Sequence, residues 1–285
     1  MLIGLSHDAD SIKKPFRHIW RVRKRFTRRQ LLAHALGLRN LYDNFSDIMA
    51  LEESLGVRST FFIPVVLFDL SEIEDTLKEL VRGGWEIGLH FVVEPYQRAA
   101  LVEMERDWLE QLVGTRLLGV RTHNLAIDEG LMAIYARRGF LYDSSYRMEE
   151  VGRSTPYEHE AGLVEVPIGV MDADLFGRLR LSEEKAVRYV EHKMTRAAER
   201  GERAFAVLFH QESFSMRGGR IYKRLLERWA GEGNAYKLID VLAKLGLGRI
   251  AEENPRYGRW RGRRGELHQS PQDRRGLLHR RPRPR

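Results

Sequence analysis

The chain begins with an apolar run that ends in two carboxylates, Met1-Leu2-Ile3-Gly4-Leu5-Ser6-His7-Asp8-Ala9-Asp10. Such a run is typical of a buried strand, and Asp8 and Asp10 follow it where the strand opens to solvent. Two aspartates at this spacing repel each other, so the pattern indicates a bound metal, a shared proton or a nearby arginine. An ordinary solvated turn is the alternative, because aspartate is common in turns.

Three further apolar runs also end in ionisable groups. They are Trp85 to His90, with Glu94 four residues later, Leu117 to His123, which contains Arg121, and Phe205 to His210, with Glu212 two residues later. Parallel α/β barrels assemble their active sites from the carboxyl ends of several strands. Histidine and carboxylate are the ligands that borderline divalent metals prefer. The sequence therefore predicts one site built from four strand ends.

Short apolar runs alternate with helical stretches along the chain, which favours an α/β fold with a sheet covered on both faces. The predicted strands are Leu2 to Leu5, Ser59 to Pro64, Glu86 to Leu89, Leu117 to Arg121, Phe140 to Tyr142, Leu163 to Val170 and Ala204 to Phe209. The predicted helices are Leu41 to Leu55, Ser71 to Arg82, Gln97 to Leu112, Asp128 to Arg138, Ser182 to Arg200, Ile221 to Trp229 and Asn234 to Lys244. Ser71 and Glu74 have the spacing of a capping box that begins a helix. Seven strands indicate a (β/α) barrel slightly short of eight.

Composition restricts the class of protein. The chain has 285 residues, 43% of them hydrophobic, and no cysteine, which excludes disulfides, cysteine-ligated zinc and a thiol nucleophile. No signal peptide or membrane-spanning stretch is recognisable, so we expect a cytoplasmic protein. Scarce amides and an excess of arginine over lysine fit a thermophile, although a GC-rich genome has the same effect.

Positive charge is concentrated at the C-terminus. Pro255 to Arg285 contains eleven Arg against Glu266 and Asp273, so this segment carries the excess of the +8 formal charge and the rest is nearly neutral. We expect a barrel domain over residues 1–250 and a basic, disordered tail over 251–285. The tail is either a solvated extension or an electrostatic contact for nucleic acid or another polyanion.

A second basic segment follows the first aspartates. Ser11 to Arg39 contains ten Lys or Arg and no Asp or Glu, and Ile19, Val22 and Phe26 have the spacing of one helical face. The pattern fits an ordinary amphipathic helix, a nucleic-acid contact, or a flap that attracts an anionic substrate.

The order of these motifs resembles the polysaccharide deacetylase family. The motifs are Ser6-His7-Asp8-Ala9-Asp10, Ser59-Thr60-Phe61-Phe62, Glu86-Ile87-Gly88-Leu89-His90, Gly119-Val120-Arg121-Thr122-His123, Leu141-Tyr142-Asp143-Ser144-Ser145, Glu165-Val166-Pro167-Ile168-Gly169-Val170-Met171-Asp172 and Leu208-Phe209-His210. The resemblance covers roughly residues 1–250 and is to the NodB-homology domain of carbohydrate esterase family 4, in its divergent Asp-x-Asp branch. It implies a distorted (β/α)7 barrel with a divalent metal, zinc or alternatively cobalt, nickel or manganese.

By the same resemblance, Asp8 would be the base that activates water and Asp10 would bind metal beside His90. Arg121 would fix the base, and His210 would protonate the leaving amine. The family's second motif has two histidines four residues apart, whereas here Glu94 takes the second position, either as a substitute ligand or as a sign of a decayed site.

Four more residues are candidates for the site. His123 is a possible replacement ligand, because it lies two residues after Arg121 and should point to the same side. Asp172 and Asp174 could orient His210, and Glu212 follows the same histidine; ordinary turns explain all three nearly as well.

The function expected from the sequence is metal-dependent hydrolysis of non-peptide C–N bonds, in particular deacetylation of an N-acetylated sugar or a related small molecule. A small or lipid-linked saccharide, anionic if the basic segment attracts it, fits an intracellular chain better than a cell-wall polymer. The alternative is an inactive barrel that binds a polyanion through its basic segment and tail.

Overall fold

The computed structural model describes residues 1–93 and 97–247, which form one curled sheet surrounded by helices. The strands are β1 (Leu2–Asp8), β2 (Thr60–Ile63), β3 (Glu86–Phe91), β4 (Gly119–Thr122), β5 (Tyr142–Asp143), β6 (Tyr157–Glu158), β7 (Val164–Glu165), β8 (Ile168–Met171), β9 (Ala204–Leu208) and β10 (Ala235–Lys237). Their order is β6-β7-β5-β4-β3-β2-β1-β9-β8, with β10 also paired to β1. Every pair is parallel except β6 with β7.

β8, at one end of this sheet, is joined by a single short piece of chain to β7, which is next to the other end. The strand predicted over Leu163 to Val170 is divided at Pro167, which has no N–H to donate to a sheet. Before the proline, Glu165 pairs with Asp143 of β5, and after it Ile168 pairs with Ala206 of β9. Because so few residues separate the two pairings, the sheet curls into a barrel, and the expected distorted (β/α)7 architecture is confirmed.

Most of the helices cover the outside of the barrel, and the last one packs against side chains of its interior. They are α1 (Phe16–Arg21), α2 (Arg28–Ala35), α3 (Phe45–Ser54), α4 (Glu74–Arg82), α5 (Arg98–Val113), α6 (Glu129–Arg137), α7 (Met148–Val151), α8 (Glu183–Glu199), α9 (Arg217–Gly231) and α10 (Leu238–Leu245). None of the helices in the described ranges is long and apolar enough to cross a membrane.

Two local predictions were wrong. Ser71 does not cap α4. It lies in a short 3₁₀ turn that Asp69 caps: the Asp69 carboxylate accepts a hydrogen bond from the Ser71 N–H at 3.0 Å. The residues after Asn234 form β10 rather than the start of a helix, because their backbone pairs with the first half of β1. The first hydrogen bond of this pairing runs from Ile3 N to Asn234 O at 2.8 Å. α10 begins only at Leu238.

The sequence predicts that the barrel domain ends and the basic tail begins near residue 250. Residues 248–285 lie outside the described part of the chain, so the tail prediction stays a prediction.

Strand β1 is buried on both of its faces. Ile3 and Leu5 pack into the apolar layer against α8 and α9. Gly4 faces the barrel interior, where a Cβ would lie only 2.7 Å from Leu238 Cδ2. This double burial explains why the strand is continuously apolar until the carboxyl end of the sheet is reached.

A buried carboxylate on α3 links β1 to the outer layer. Glu52 accepts hydrogen bonds from Trp85 Nε1 and Tyr222 OH, each at 2.6 Å, and lies 3.0 Å from His7 Nε2. The opposite ring nitrogen of His7 donates to Phe209 O at 2.8 Å. Helices α3 and α9 and the start of β3 are therefore joined at the residue that precedes Asp8.

We expect Glu52→Ala to lower the free energy of unfolding by about 3–5 kcal/mol, because it leaves three buried polar groups without their acceptor. Urea unfolding followed by circular dichroism measures the change. Glu53→Ala is the matched control: Glu53 is exposed and, among residues 1–93 and 97–247, forms an ion pair only with Arg58, so its loss should cost less than about 1 kcal/mol. Equal losses in the two variants would contradict the assignment.

Candidate active site

Arg121 lies inside the barrel and is completely buried. Its Nη1 donates to Asp8 Oδ1 at 2.8 Å, and its Nη2 donates to Ser144 Oγ at 2.8 Å and to Ser6 Oγ at 3.1 Å. Its Nε donates to Ser144 O at 2.7 Å, and its guanidinium stacks over Phe62 at 4.2 Å. These contacts fix the side chain of Asp8 at the carboxyl end of β1 and leave Asp8 Oδ2 directed at the site.

Asp10, His90 and His123 converge beside Asp8. His90 Nε2 lies 3.1 Å from Asp10 Oδ1 and 3.1 Å from His123 Nδ1, and His123 Nδ1 lies 3.3 Å from Asp10 Oδ1. His90 Nε2 is also 3.8 Å from Asp8 Oδ2. Burial opposes ionisation of Asp10, but the two imidazoles outweigh it and hold the pKa of Asp10 well below its usual range.

The donor atoms of this cluster fit a divalent metal. The three ligand atoms lie within 4.8 Å of one another, and Asp10 Oδ1 is buried without a partner in hydrogen-bond geometry among the described residues. Ligands of a tetrahedral zinc ion, each about 2.0–2.1 Å from the metal, lie about 3.3 Å apart. One carboxylate and two imidazoles at this spacing are a donor set that suits zinc and its neighbours.

The sequence placed Glu94 in this ligand set, but Glu94 lies outside the described residues. His123, which the sequence suggested as a replacement ligand, is in contact with both Asp10 and His90. The position of His123 follows from the short 3₁₀ turn that begins directly after β4.

His210 lies across the site from His90 and is held by Asp172. His210 Nδ1 lies 2.6 Å from Asp172 Oδ1, and its backbone N–H donates to Asp172 Oδ2 at 3.2 Å. Burial alone would lower the pKa of His210, but the charge and hydrogen bond of Asp172 raise it well above the usual value. The second ring nitrogen, Nε2, lies 3.7 Å from Asp10 Oδ2. Asp174 is not part of this pair; it contacts Arg147 and Arg178 instead.

Glu212 lies on the same loop as His210. Its Oε2 is buried and has no hydrogen-bond partner within the described ranges. Burial, together with the nearby charge of Asp10, raises the pKa of Glu212 to about 8, although His210 opposes the shift. This shift favours the protonated form of the Glu212 carboxyl group.

Sequence reasoning missed a second pair of acids beneath Arg121. Asp143 and Glu165 are register partners on β5 and β7, and both are completely buried. Ser145 donates to Asp143 through its N–H and its Oγ, and Tyr146 N donates to Glu165 Oε1 at 3.2 Å. Burial raises the pKa of Asp143 to about 6, and burial with the adjacent Asp143 raises the pKa of Glu165 well above its usual value. In the sequence, Asp143 and Glu165 each follow a short apolar run, and this pattern was the signal that could have identified them.

No family model and no curated protein matches this sequence. Solved structures do share its fold. A protein described as a polysaccharide deacetylase from Mycobacterium smegmatis has a TM-score of 0.64 and 16% identity, over 87% of this chain and 90% of its own. An allantoinase has a TM-score of 0.60 and 15% identity, over 89% and 91% of the two chains. A CE4 family pseudoenzyme from Bacillus anthracis has a TM-score of 0.53 and 11% identity, over 85% of this chain and 65% of its own.

The chain therefore has the fold of the polysaccharide deacetylases, the NodB-like barrel of carbohydrate esterase family 4. The resemblance read from the ordered motifs is confirmed at the level of the fold. Its solved neighbours include hydrolases and a pseudoenzyme, so activity has to be argued from the site.

The Asp143 and Glu165 pair predicts a pH dependence of stability. Because the folded state raises both pKa values, it holds protons that the unfolded chain loses above about pH 4, and unfolding becomes easier as the pH rises through about 6. Glu165→Gln removes one of these groups, so we expect the free energy of unfolding of this variant to fall less than that of the wild type as the pH rises above about 4.

Urea unfolding at a series of pH values measures this difference. Glu160→Gln, at an exposed position in the preceding turn, is the control and should follow the wild-type curve at every pH. Parallel curves for Glu165→Gln and the wild type would show that the acid pair does not hold a proton.

Proposed function

We propose that the protein is a metal-dependent hydrolase of non-peptide C–N bonds, which removes the acetyl group from an N-acetylated sugar or a related small molecule. The observation that carries the proposal is the convergence of Asp10, His90 and His123 between two further groups, the Arg121-bound Asp8 and the Asp172-bound His210. A base, an acid and a metal-ligand cluster on one barrel edge are the parts that amide hydrolysis requires.

Asp8 is the proposed general base. Arg121 occupies Asp8 Oδ1 and leaves Oδ2 on the side of the ligand cluster, 3.8 Å from His90 Nε2. The pairing with a buried guanidinium favours the ionised carboxylate and fixes its direction. A water molecule at the cluster can therefore give its proton to Asp8 as its oxygen attacks the amide carbon.

His210 is the proposed general acid. Its raised pKa favours the protonated imidazole, and the bond to Asp172 directs Nε2 towards the cluster. As the C–N bond breaks, His210 Nε2 donates its proton to the leaving nitrogen, which departs as an amine while the acyl carbon becomes acetic acid.

The proposed metal ligands are Asp10, His90 and His123, with Glu94 as the fourth ligand that the sequence suggests. Zinc is the first candidate, and cobalt, nickel and manganese are the alternatives. A divalent ion bound there would polarise the amide carbonyl and lower the pKa of the attacking water.

A saccharide is the proposed substrate because polysaccharide deacetylases are among the solved neighbours of the fold. The basic segment Ser11 to Arg39 starts directly after Asp10, and Gln211 Nε2 donates to Ser11 O at 2.7 Å, so the segment begins beside the site. Its positive field would favour an anionic saccharide.

We expect Asp8→Asn to reduce acetate release from N-acetylated oligosaccharides by about 10²–10⁴-fold, because the variant keeps the side-chain volume and loses the base. Metal content, measured by elemental mass spectrometry, should be unchanged. Full turnover by Asp8→Asn would contradict the assigned base.

We expect Asp172→Asn to reduce turnover and to move the basic limb of the pH profile. Asp174→Asn, on the same loop but away from His210, should leave both turnover and the pH profile unchanged.

We expect His90→Ala and His123→Ala each to weaken zinc binding by about 100-fold or more, since each removes a direct ligand. Titration calorimetry with zinc chloride measures the affinity, and Glu94→Ala tests the fourth ligand in the same way. His159→Ala is the matched control, because the contacts of His159 are with Tyr146, Tyr157 and Glu129 and not with the cluster. A wild-type chain that neither retains nor takes up a divalent metal would refute the mechanism and favour the polyanion-binding alternative.

A further inference from the structure

One surface segment contains all the large apolar side chains that the structure shows exposed within residues 1–93 and 97–247. These side chains are Phe16, Trp20, Leu32, Leu36 and Leu38, each more than 60% exposed except Trp20, which is 60% exposed. We call residues 16–38 the apolar-basic patch. Single exposed apolar residues are ordinary, but five within 23 residues, and none elsewhere in the described chain, indicate an interaction surface.

The exposure is not the result of loose packing. The inner side of the patch is anchored by Ile19 and Phe26, which are buried against Leu41, Tyr42 and Met216. His18 Nε2 lies 2.9 Å from Tyr42 OH, and a capping box between Thr27 and Gln30 fixes the start of α2. The segment therefore has one face that holds it to the barrel and a second, apolar face that nothing in the described chain covers.

The outer side chains are arranged in pairs one helical turn apart. Phe16 and Trp20 stack on α1 with ring centroids 6.4 Å apart, and Leu32 and Leu36 have the same spacing on and just after α2. Side chains four residues apart lie on the same face of a helix, so each pair presents a continuous apolar stripe.

Positive charge surrounds these stripes. The basic residues of the patch are Arg17, Arg21, Arg23, Lys24, Arg25, Arg28 and Arg29, and all are exposed. None of them forms an ion pair with a described residue; in the wider segment, Lys13 pairs with Glu72 and Arg39 with Asp47. Arg23 stacks over Trp20 at 4.7 Å, which leaves its charge next to the exposed ring. A partner for this surface has to be both apolar and anionic.

We propose that the apolar-basic patch docks the protein on the surface of a membrane that contains anionic lipids. Tryptophan, phenylalanine and leucine insert at the boundary between headgroups and acyl chains, while arginine and lysine pair with the anionic headgroups. Nucleic acid matches the charge and could stack on Trp20, but it offers no partner for three exposed leucines. A lipid surface satisfies both sides of the pattern.

The patch lies at the edge of the barrel that carries the candidate site. Gln30 Nε2 donates to Ser215 O at 2.9 Å, and Gln211 Nε2 donates to Ser11 O at 2.7 Å, so the segment is attached to the loop that follows His210. Docking through the patch would hold the strand ends next to the bilayer surface. The inference does not depend on the proposed catalytic chemistry.

Vesicle sedimentation of the full chain tests the proposal. The vesicles are made of phosphatidylcholine alone or of phosphatidylcholine mixed with phosphatidylglycerol. We expect the wild type to sediment with the mixed vesicles and to remain in solution with phosphatidylcholine alone, because the neutral surface gives no electrostatic attraction.

Two sets of variants separate the patch from general charge. Trp20→Ala with Leu36→Ala removes apolar side chains, and Arg17→Gln with Arg21→Gln and Arg25→Gln removes charge; we expect each set to weaken binding by about tenfold or more. Arg188→Gln with Arg200→Gln and Arg203→Gln removes the same charge from exposed positions on and after α8, and this control should weaken binding less than about twofold. All these positions are exposed, so we expect the variants to keep the fold.

Three results would overturn the proposal. The first is a wild type that does not bind mixed vesicles. The second is equal loss in the patch and control variants, or loss only when Arg280, Arg281 and Arg283 of the tail are changed to Gln, because binding would then come from charge alone or from the tail. The third is a set of patch variants that lose oligonucleotide binding or self-association but bind vesicles as the wild type does.

Discussion

The buried guanidinium of Arg121 is the constraint on which the site depends. An arginine cannot lose its charge at any accessible pH, so a completely enclosed arginine requires nearby anions and acceptors. The barrel supplies them from three strands: Ser6 and Asp8 on β1, Ser144 after β5, and the Asp143 and Glu165 pair on β5 and β7. The position of Asp8 is thus fixed by the interior of the barrel before any ligand is considered. The acids beneath Arg121 share its field, which lowers the cost of burying them.

Consecutive residues of β1 connect this interior to the helices. Asp8 points inwards to Arg121, whereas His7 points outwards to Glu52, which also holds Trp85 and Tyr222. A hydrogen-bonded group on each side of the strand restricts its rotation and its sliding along the sheet. The strand end can then present Asp8 and Asp10 in a constant orientation, as pre-organised chemistry requires.

Much of the fold could be predicted because its strands are covered on both sides and are therefore continuously apolar. The strand ends at Asp8, His90, Arg121 and His210 were located for that reason, and Asp172 was identified beside His210. The contacts that the sequence could not show join distant segments: nothing near Ala235 indicates that it pairs with Ile3, and nothing near Glu165 indicates Arg121 as its neighbour. Spacing within one motif suggested Glu94 as a ligand, whereas the approach of His123 to Asp10 depends on the turn after β4. A capping pattern at Ser71 misled because Asp69, two residues earlier, offered a better acceptor.

The pairing of β1 also affects how the chain folds. β1 lies between β2 and β9, and its first half pairs with β10, so most of its neighbours are more than 200 residues away. On the ribosome, β1 emerges long before β9 and β10 and cannot complete its hydrogen bonds until residue 237 is available. Such long-range pairing makes folding slow and leaves an apolar edge exposed meanwhile. The aspartates that end β1 and the charged segment that follows them place charge next to this apolar strand. Charged residues that flank an apolar strand reduce its tendency to aggregate.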